Sequence, residues 1–154
     1  DYIQNFENKK ILNYYIDGNY NYKLNNYIIL NFNLRYAKVH INDEISVPDG
    51  EKYRFGGAKT FRGYHELFFI SDEFLINQIE LSYYINKNSK IFAFTDIGKA
   101  NIKLNNIFSY GIGVMQPVSI GYLKLEYAIN KLDKLSNGKI HLTILSNIKW
   151  KEKL

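Results

Sequence analysis

The chain has 154 residues, a formal charge of +5 and no cysteine, so it is long enough for one domain and leaves out disulfides, thiolate metal sites and thiol nucleophiles. The positive balance is compatible with lipid head groups or nucleic acid, but Asn is as abundant as Lys and the excess carries little weight. No apolar run comes near the ~20 residues of a membrane helix, whereas membrane-crossing strands alternate polar with apolar residues, so the mean hydropathy of −0.30 leaves them open.

The 14 Tyr and 10 Phe against only two Pro favour strands, and Tyr suits a membrane–water boundary. The chain opens at Asp1 without a charged-then-apolar leader, as expected of a processed form or a piece of something longer. Residues 1–10 are polar and uncommitted. From residue 11 to 24 the alternation is clean: Leu12, Tyr14, Ile16, Gly18, Tyr20 and Tyr22 share one face, and Asn13, Asp17, Asn19 and Asn21 the other. That period of two predicts a strand longer than the usual globular one. Asn25-Asn26 predicts a tight turn into a second strand, 27–39, with Ile28, Leu30, Phe32 and Leu34 opposite Asn31, Asn33 and Arg35.

Residues 40–73 form a long connection. Within it, Phe55-Gly56-Gly57-Ala58-Lys59-Thr60-Phe61-Arg62-Gly63-Tyr64 places three of the ten glycines and one arginine between the aromatics Phe61 and Tyr64. A flexible hairpin loop is the plain reading; a loop folded back to set Arg62 against carboxylates elsewhere is the sharper one. Five further strands are predicted at 74–85, 90–98, 107–116, 122–129 and 139–150. Glu80 lies opposite Ile79 and Leu81 in the first of these. Asp96 shares its parity with Phe92 and Phe94, which requires either that these rings pack under the loop or that a bulge shifts the register. Short turns fall at one end of the strands and longer loops at the other, the asymmetry of outer-membrane barrels. A soluble sandwich or lipocalin-like barrel also alternates, but its solvent face would carry Lys/Glu pairs rather than Asn, Ser, Thr and Gly, so the pattern favours the membrane barrel.

The segment 53–64 resembles the glycine-pair plus R-G-aromatic loop motif of the BamA/TamA-like outer-membrane superfamily. In the same order follow Ile79-Glu80-Leu81, then Phe94-Thr95-Asp96-Ile97-Gly98, which resembles the family's aromatic-x-D-x-G strand, and Tyr110-Gly111-Ile112-Gly113-Val114, which resembles its G-x-G strand. Gly138-Lys139-Ile140-His141 opens a closing strand with the aromatic Trp150 near its end. Each piece is weak alone; five in order over residues 53–150 are specific. The resemblance implies the C-terminal, surface-antigen part of an antiparallel transmembrane β-barrel, about seven or eight strands, with a long loop folded into the lumen.

It further implies a loop motif of Gly56, Gly57, Phe61, Arg62, Gly63 and Tyr64, and an arginine paired with Glu80 and Asp96 on the barrel wall. Trp150 would be the terminal aromatic, although Lys151-Glu152-Lys153-Leu154 follow it, unlike the family's usual ending, and no glycine stands near the end of the closing strand. A guanidinium holds carboxylates through a planar fork that lysine lacks.

Other chemistries find less support. His40, His65 and His141 lie far apart with no ligand spacing, so no metal is expected. Gly56-Gly57-Ala58-Lys59-Thr60 lacks the frame of a phosphate loop. The loop acids have no nucleophile beside them, so neither an enzyme nor a cofactor is expected. The aromatics share faces with Leu and Ile, as burial or lipid contact requires, and not with the lysines that nucleic acid would need.

The expected function is insertion, assembly or translocation of polypeptides at the bacterial outer membrane, with membrane lipids and client or secreted polypeptides as partners. A soluble barrel holding an apolar ligand and a passive outer-membrane barrel are the alternatives. Seven strands cannot close around an inserted loop, and a bilayer does not tolerate open edges. The missing wall is therefore expected from an N-terminal portion of the same protein or from a second copy.

Overall fold

The computed structural model describes residues 11–41, 46–102 and 106–146. Seven long strands make one antiparallel sheet: β1 (Ile11–Lys23), β2 (Ile28–Ile41), β5 (Glu73–Tyr84), β6 (Lys90–Ala100), β7 (Asn106–Val118), β8 (Gly121–Asn130) and β9 (Lys139–Ser146). They pair in the order β1-β2-β5-β6-β7-β8-β9. Two shorter strands, β3 (Tyr53–Phe55) and β4 (Phe69–Ser71), form a separate hairpin inside the long connection. Three residues each are too few to show a period of two, so this hairpin left no alternation in the sequence.

Local chemistry fixes the short turns. Asn25 Oδ1 accepts from the backbone N–H of Tyr27 and of Ile28, both at 2.8 Å, and Asn86 Oδ1 accepts from Asn88 and Ser89 in the same way. Such side-chain acceptors mimic a backbone turn. The turn between β7 and β8 is only Ser119-Ile120, because β7 continues through Pro117 to Val118. Pro117 lies past the last β6 partner, which is Met115 opposite Lys90, so one side of the strand has no ladder there to break.

The pairing runs without a bulge across β5, β6 and β7, which fixes one outward and one inward face. Outward stand Tyr14, Ile16, Leu34, Leu81, Ile97, Tyr110, Ile112, Leu125 and Leu142, all exposed. Inward on β6 stand Phe92, Phe94, Asp96, Gly98 and Ala100, all buried. Of the two ways to reconcile Asp96 with its aromatic neighbours, the rings do pack under the loop.

The sheet is curled into a half-barrel. The physical sign is that one loop side chain reaches carboxylates on both β5 and β8, strands that in a flat sheet lie three spacings or about 14 Å apart. Among the described residues β1 pairs only with β2 and β9 only with β8, so the wall is open at both edges. No described helix is long and apolar enough to cross a membrane, which leaves strands that cross one untouched.

The core is the space between the inward face and the loop. Phe55, Phe61, Tyr64 and Phe69 of the loop pack with Ala37, Phe74, Ile76, Ala100 and Ile107 of the wall. Phe55 stands 4.7 Å from Phe74 between ring centroids and 5.1 Å from Phe69, within the range of favourable aromatic pairs.

Candidate functional site

The loop enters the half-barrel through a tight bend. Gly56 and Gly57 have φ of 125° and 89°, values that a side chain strongly resists. The bend is locked locally: Thr60 Oγ1 accepts from Gly56 N–H at 2.7 Å, Glu66 Oε1 accepts from Ala58 N–H at 2.9 Å, and Gly57 bridges to Phe61. Phe61 is fully buried and anchors the next residue, Arg62, against the wall.

Arg62 is 4% exposed and Asp96 0%. Asp96 takes the larger part of the fork. Arg62 Nε donates to both its oxygens at 3.0 and 3.2 Å, Nη2 donates to Oδ1, and the Arg62 backbone N–H donates to Oδ2 at 2.9 Å. Gln78 Nε2 adds a further bond to Asp96 Oδ2 at 3.1 Å. Nη1 spans to Glu80 and Glu126, each at 3.2 Å. The guanidinium carbon lies 3.5 Å from the centroid of the Phe94 ring, a stacked cation–π contact. Room for it comes from the wall: a Cβ on Gly98 would meet Phe61 and Ile107 at 2.7 Å, and one on Gly111 would meet Phe94 at 2.6 Å.

Two lysines complete the cluster. Lys90 Nζ pairs with Glu80 and donates to Ser82 Oγ at 3.0 Å, and Lys124 Nζ lies 3.0 Å from Glu126 Oε2. Arg62, Lys90 and Lys124 thus face Asp96, Glu80 and Glu126, and the buried charges balance. Burial works against the Arg62 charge, yet the Asp96 hydrogen bonds and the neighbouring carboxylates hold its pKa above the ordinary value. The guanidinium is a permanent cation.

The next residue is held from the other side of the curl. Gly63 N–H donates to His141 Nε2 at 3.2 Å, and Gly63 O accepts from Asn130 Nδ2 at 2.9 Å. A nitrogen that accepts carries no proton, so His141 serves here as a neutral imidazole. Gly63 has φ of 83°, and a Cβ there would meet Ser109 Cβ at 2.8 Å. Tyr64 follows into the aromatic cluster, where burial raises its hydroxyl pKa, the Asp133 charge adds to this, and a backbone bond to Phe108 opposes it.

The structure therefore brings Gly56, Gly57, Phe61, Arg62, Gly63, Tyr64, Glu80 and Asp96 into one assembly. Trp150 lies outside the described residues. Sequence reasoning missed Glu126, Asn130 and His141 as loop contacts, although strand parity already set Glu126 and His141 on polar faces. No group of three potential metal ligands occurs among the described residues.

An open antiparallel sheet, apolar outside and clamped inside to its own longest loop, is a portion of a β-barrel wall. A model of the Omp85 superfamily domain matches residues 3–144, and the chain belongs to that superfamily, whose members serve outer-membrane assembly and transport. Comparison with curated proteins returned no match.

Proposed function

We propose that this chain forms the C-terminal wall of a bacterial outer-membrane barrel that assists insertion, assembly or translocation of polypeptides, without catalysis of its own. The observation that carries the reading is the Arg62 clamp: one loop cation bound to carboxylates from β5, β6 and β8, inside a sheet whose apolar side chains point away from it. A soluble barrel would turn those side chains inward. Loops also plug passive barrels, so assembly or export of a client is what separates that alternative.

In this reading the loop braces the lumen and sets the shape of the path that a polypeptide meets. The unpaired edges of β1 and β9 meet the rest of the wall, supplied by an N-terminal portion of the same protein or by a second copy. Polypeptide clients and membrane lipids are the partners.

The test is Arg62→Ala beside Arg62→Lys in the full protein, read by the gel shift between folded and heat-unfolded barrel and by assembly or export of a client. Both variants are expected to lose activity, the lysine variant while keeping more of the folded band, because it retains charge without the fork. Full activity and an unchanged gel shift in Arg62→Ala would refute the role given to the loop. Release of the protein into buffer without detergent would refute the membrane reading.

A further inference from the structure

The outward face is apolar along nearly all its length, and its charges are confined to one end. Following the register outward from β1 to β9, the only charged or titratable side chains among the described strand residues, tyrosines aside, are Lys38 and His40 on β2, Glu73 on β5 and Lys99 on β6. Lys38 stands directly opposite Glu73, and Lys99 opposite Leu75. All lie at the end of the long loops. The outward rim at the turn end carries Tyr22, Tyr27 and Tyr83 instead. Between Glu73 and Tyr83 the strand has roughly the 9–11 residues that a tilted strand needs to cross the hydrocarbon. The charged end therefore sits where the lipid head groups begin.

The two lysines differ. Lys38 Nζ is held by Glu73 Oε2 at 3.1 Å, while Tyr36 donates to Glu73 Oε1 at 2.9 Å. Lys99 is exposed and makes no hydrogen bond or ion pair with the described residues. Beside it opens a recess of 520 Å³ lined by Tyr36, Glu73, Leu75, Lys99 and Asn101. It is polar at the top and apolar at Leu75, and below it on the same outward face stands Ile97, paired with Asn77.

We propose that this recess binds the phosphate-bearing head group of an anionic membrane lipid in the leaflet at the loop end. Lys99 is the contacting cation, Lys38 is the second charge behind it, and the acyl chains run over Leu75 and Ile97. Glu73 pairs with Lys38 and Asp72 accepts from Asn101, so among the described residues at the recess the Lys99 ammonium is the charge left without a paired carboxylate, which suits one phosphate rather than a polyanion. The inference rests on the membrane reading above.

The test reconstitutes the full protein in mixed phosphatidylglycerol and phosphatidylcholine bilayers and counts retained lipids by native mass spectrometry after detergent extraction. One unpaired lysine near the surface corresponds to about fivefold enrichment of the anionic lipid. Lys99→Gln is expected to abolish the enrichment without affecting the fold, since its side chain makes no hydrogen bond or ion pair among the described residues, and Glu73→Gln to raise it by about the same factor. Equal retention of both lipids by the wild type, or enrichment unchanged in Lys99→Gln, would overturn the site. Displacement of the lipid by inorganic phosphate alone would overturn the lipid as its occupant. A protein that inserts but shows no enrichment sinks only this inference, whereas one that fails to enter the bilayer sinks the membrane reading and this inference with it.

Discussion

The inward face of one sheet behaves as two different surfaces. From β5 to β8 it is dry: Phe92, Phe94, Asp96, Ser109, Glu126 and Ala128 are buried beneath the loop. On β1 and the first half of β2 the same face is wet. Asn19 stands opposite Asn33 and Asn21 opposite Asn31, and β1 is exposed along nearly its whole length. Asp17 there makes an ion pair with Arg35 at 3.2 Å with its own side chain 37% exposed. Both regions share strand geometry, parity and direction, so the sheet does not cause the difference. The loop does, by covering the wall from β5 to β8 and touching the other half only through long bonds, where Lys59 O accepts from Arg35 and Tyr14 O from Tyr53, both at 3.4 Å. A charge pair under the loop is therefore costly to break, and a polar pair beyond it is nearly free to change.

The largest effect is expected where the cover is complete. Asp96→Ala removes the carboxylate that receives Nε, Nη2 and the backbone N–H of Arg62 and leaves a desolvated cation with two carboxylates already shared with lysines. Removal of one partner from a buried ion pair costs about 3–5 kcal/mol. Urea titration of the folded band should show a loss of that order for Asp96→Ala. A loss no greater than that of an equivalent change at Asp17 would mean that the two halves of the face are alike.

How far this division was readable in the sequence depends on distance along the chain. Alternation over 11–24 and 107–116 fixes which side chains share a face, because the strand period is a local property. Asp96 beside Phe92 and Phe94 breaks the simple rule of apolar outside and polar inside, and sequence alone could not choose between a bulge and buried rings. The choice turned on Gly98 and Gly111, whose missing side chains give the rings and the loop their space. Glu126 was legible as an inward residue but not as an Arg62 partner, because that contact requires the curl to carry β8 around to the loop. The bond from Gly63 to His141, 78 residues apart, had no local signal at all.

An intermediate effect is expected at Gly63, where the loop passes between the two sides of the curl. Gly63→Ala forces a side chain into the left-handed region, a strain of about 1–3 kcal/mol, and presses its Cβ toward Ser109. The same titration should place this variant between wild type and Asp96→Ala. Wild-type stability would show that the segment is not seated on β7 and β8 as tightly as its contacts with Asn130 and His141 indicate.

The smallest effect belongs to the uncovered half. Asn21 is exposed on β1 and faces Asn31 across the pair, while Asn31 reaches toward Glu80 and Ser82 on its other side only at 3.5 and 3.4 Å. With water free to replace each lost bond, Asn21→Ala should change stability by no more than about 0.5 kcal/mol and leave the gel shift in place. The variant probes the wall from the side where no loop lies. A loss as large as that of Gly63→Ala would mean that another segment packs against the Asn rows in the closed barrel. The dry and wet halves would then be a property of this sheet taken alone, and the loop would no longer be the cause of the difference.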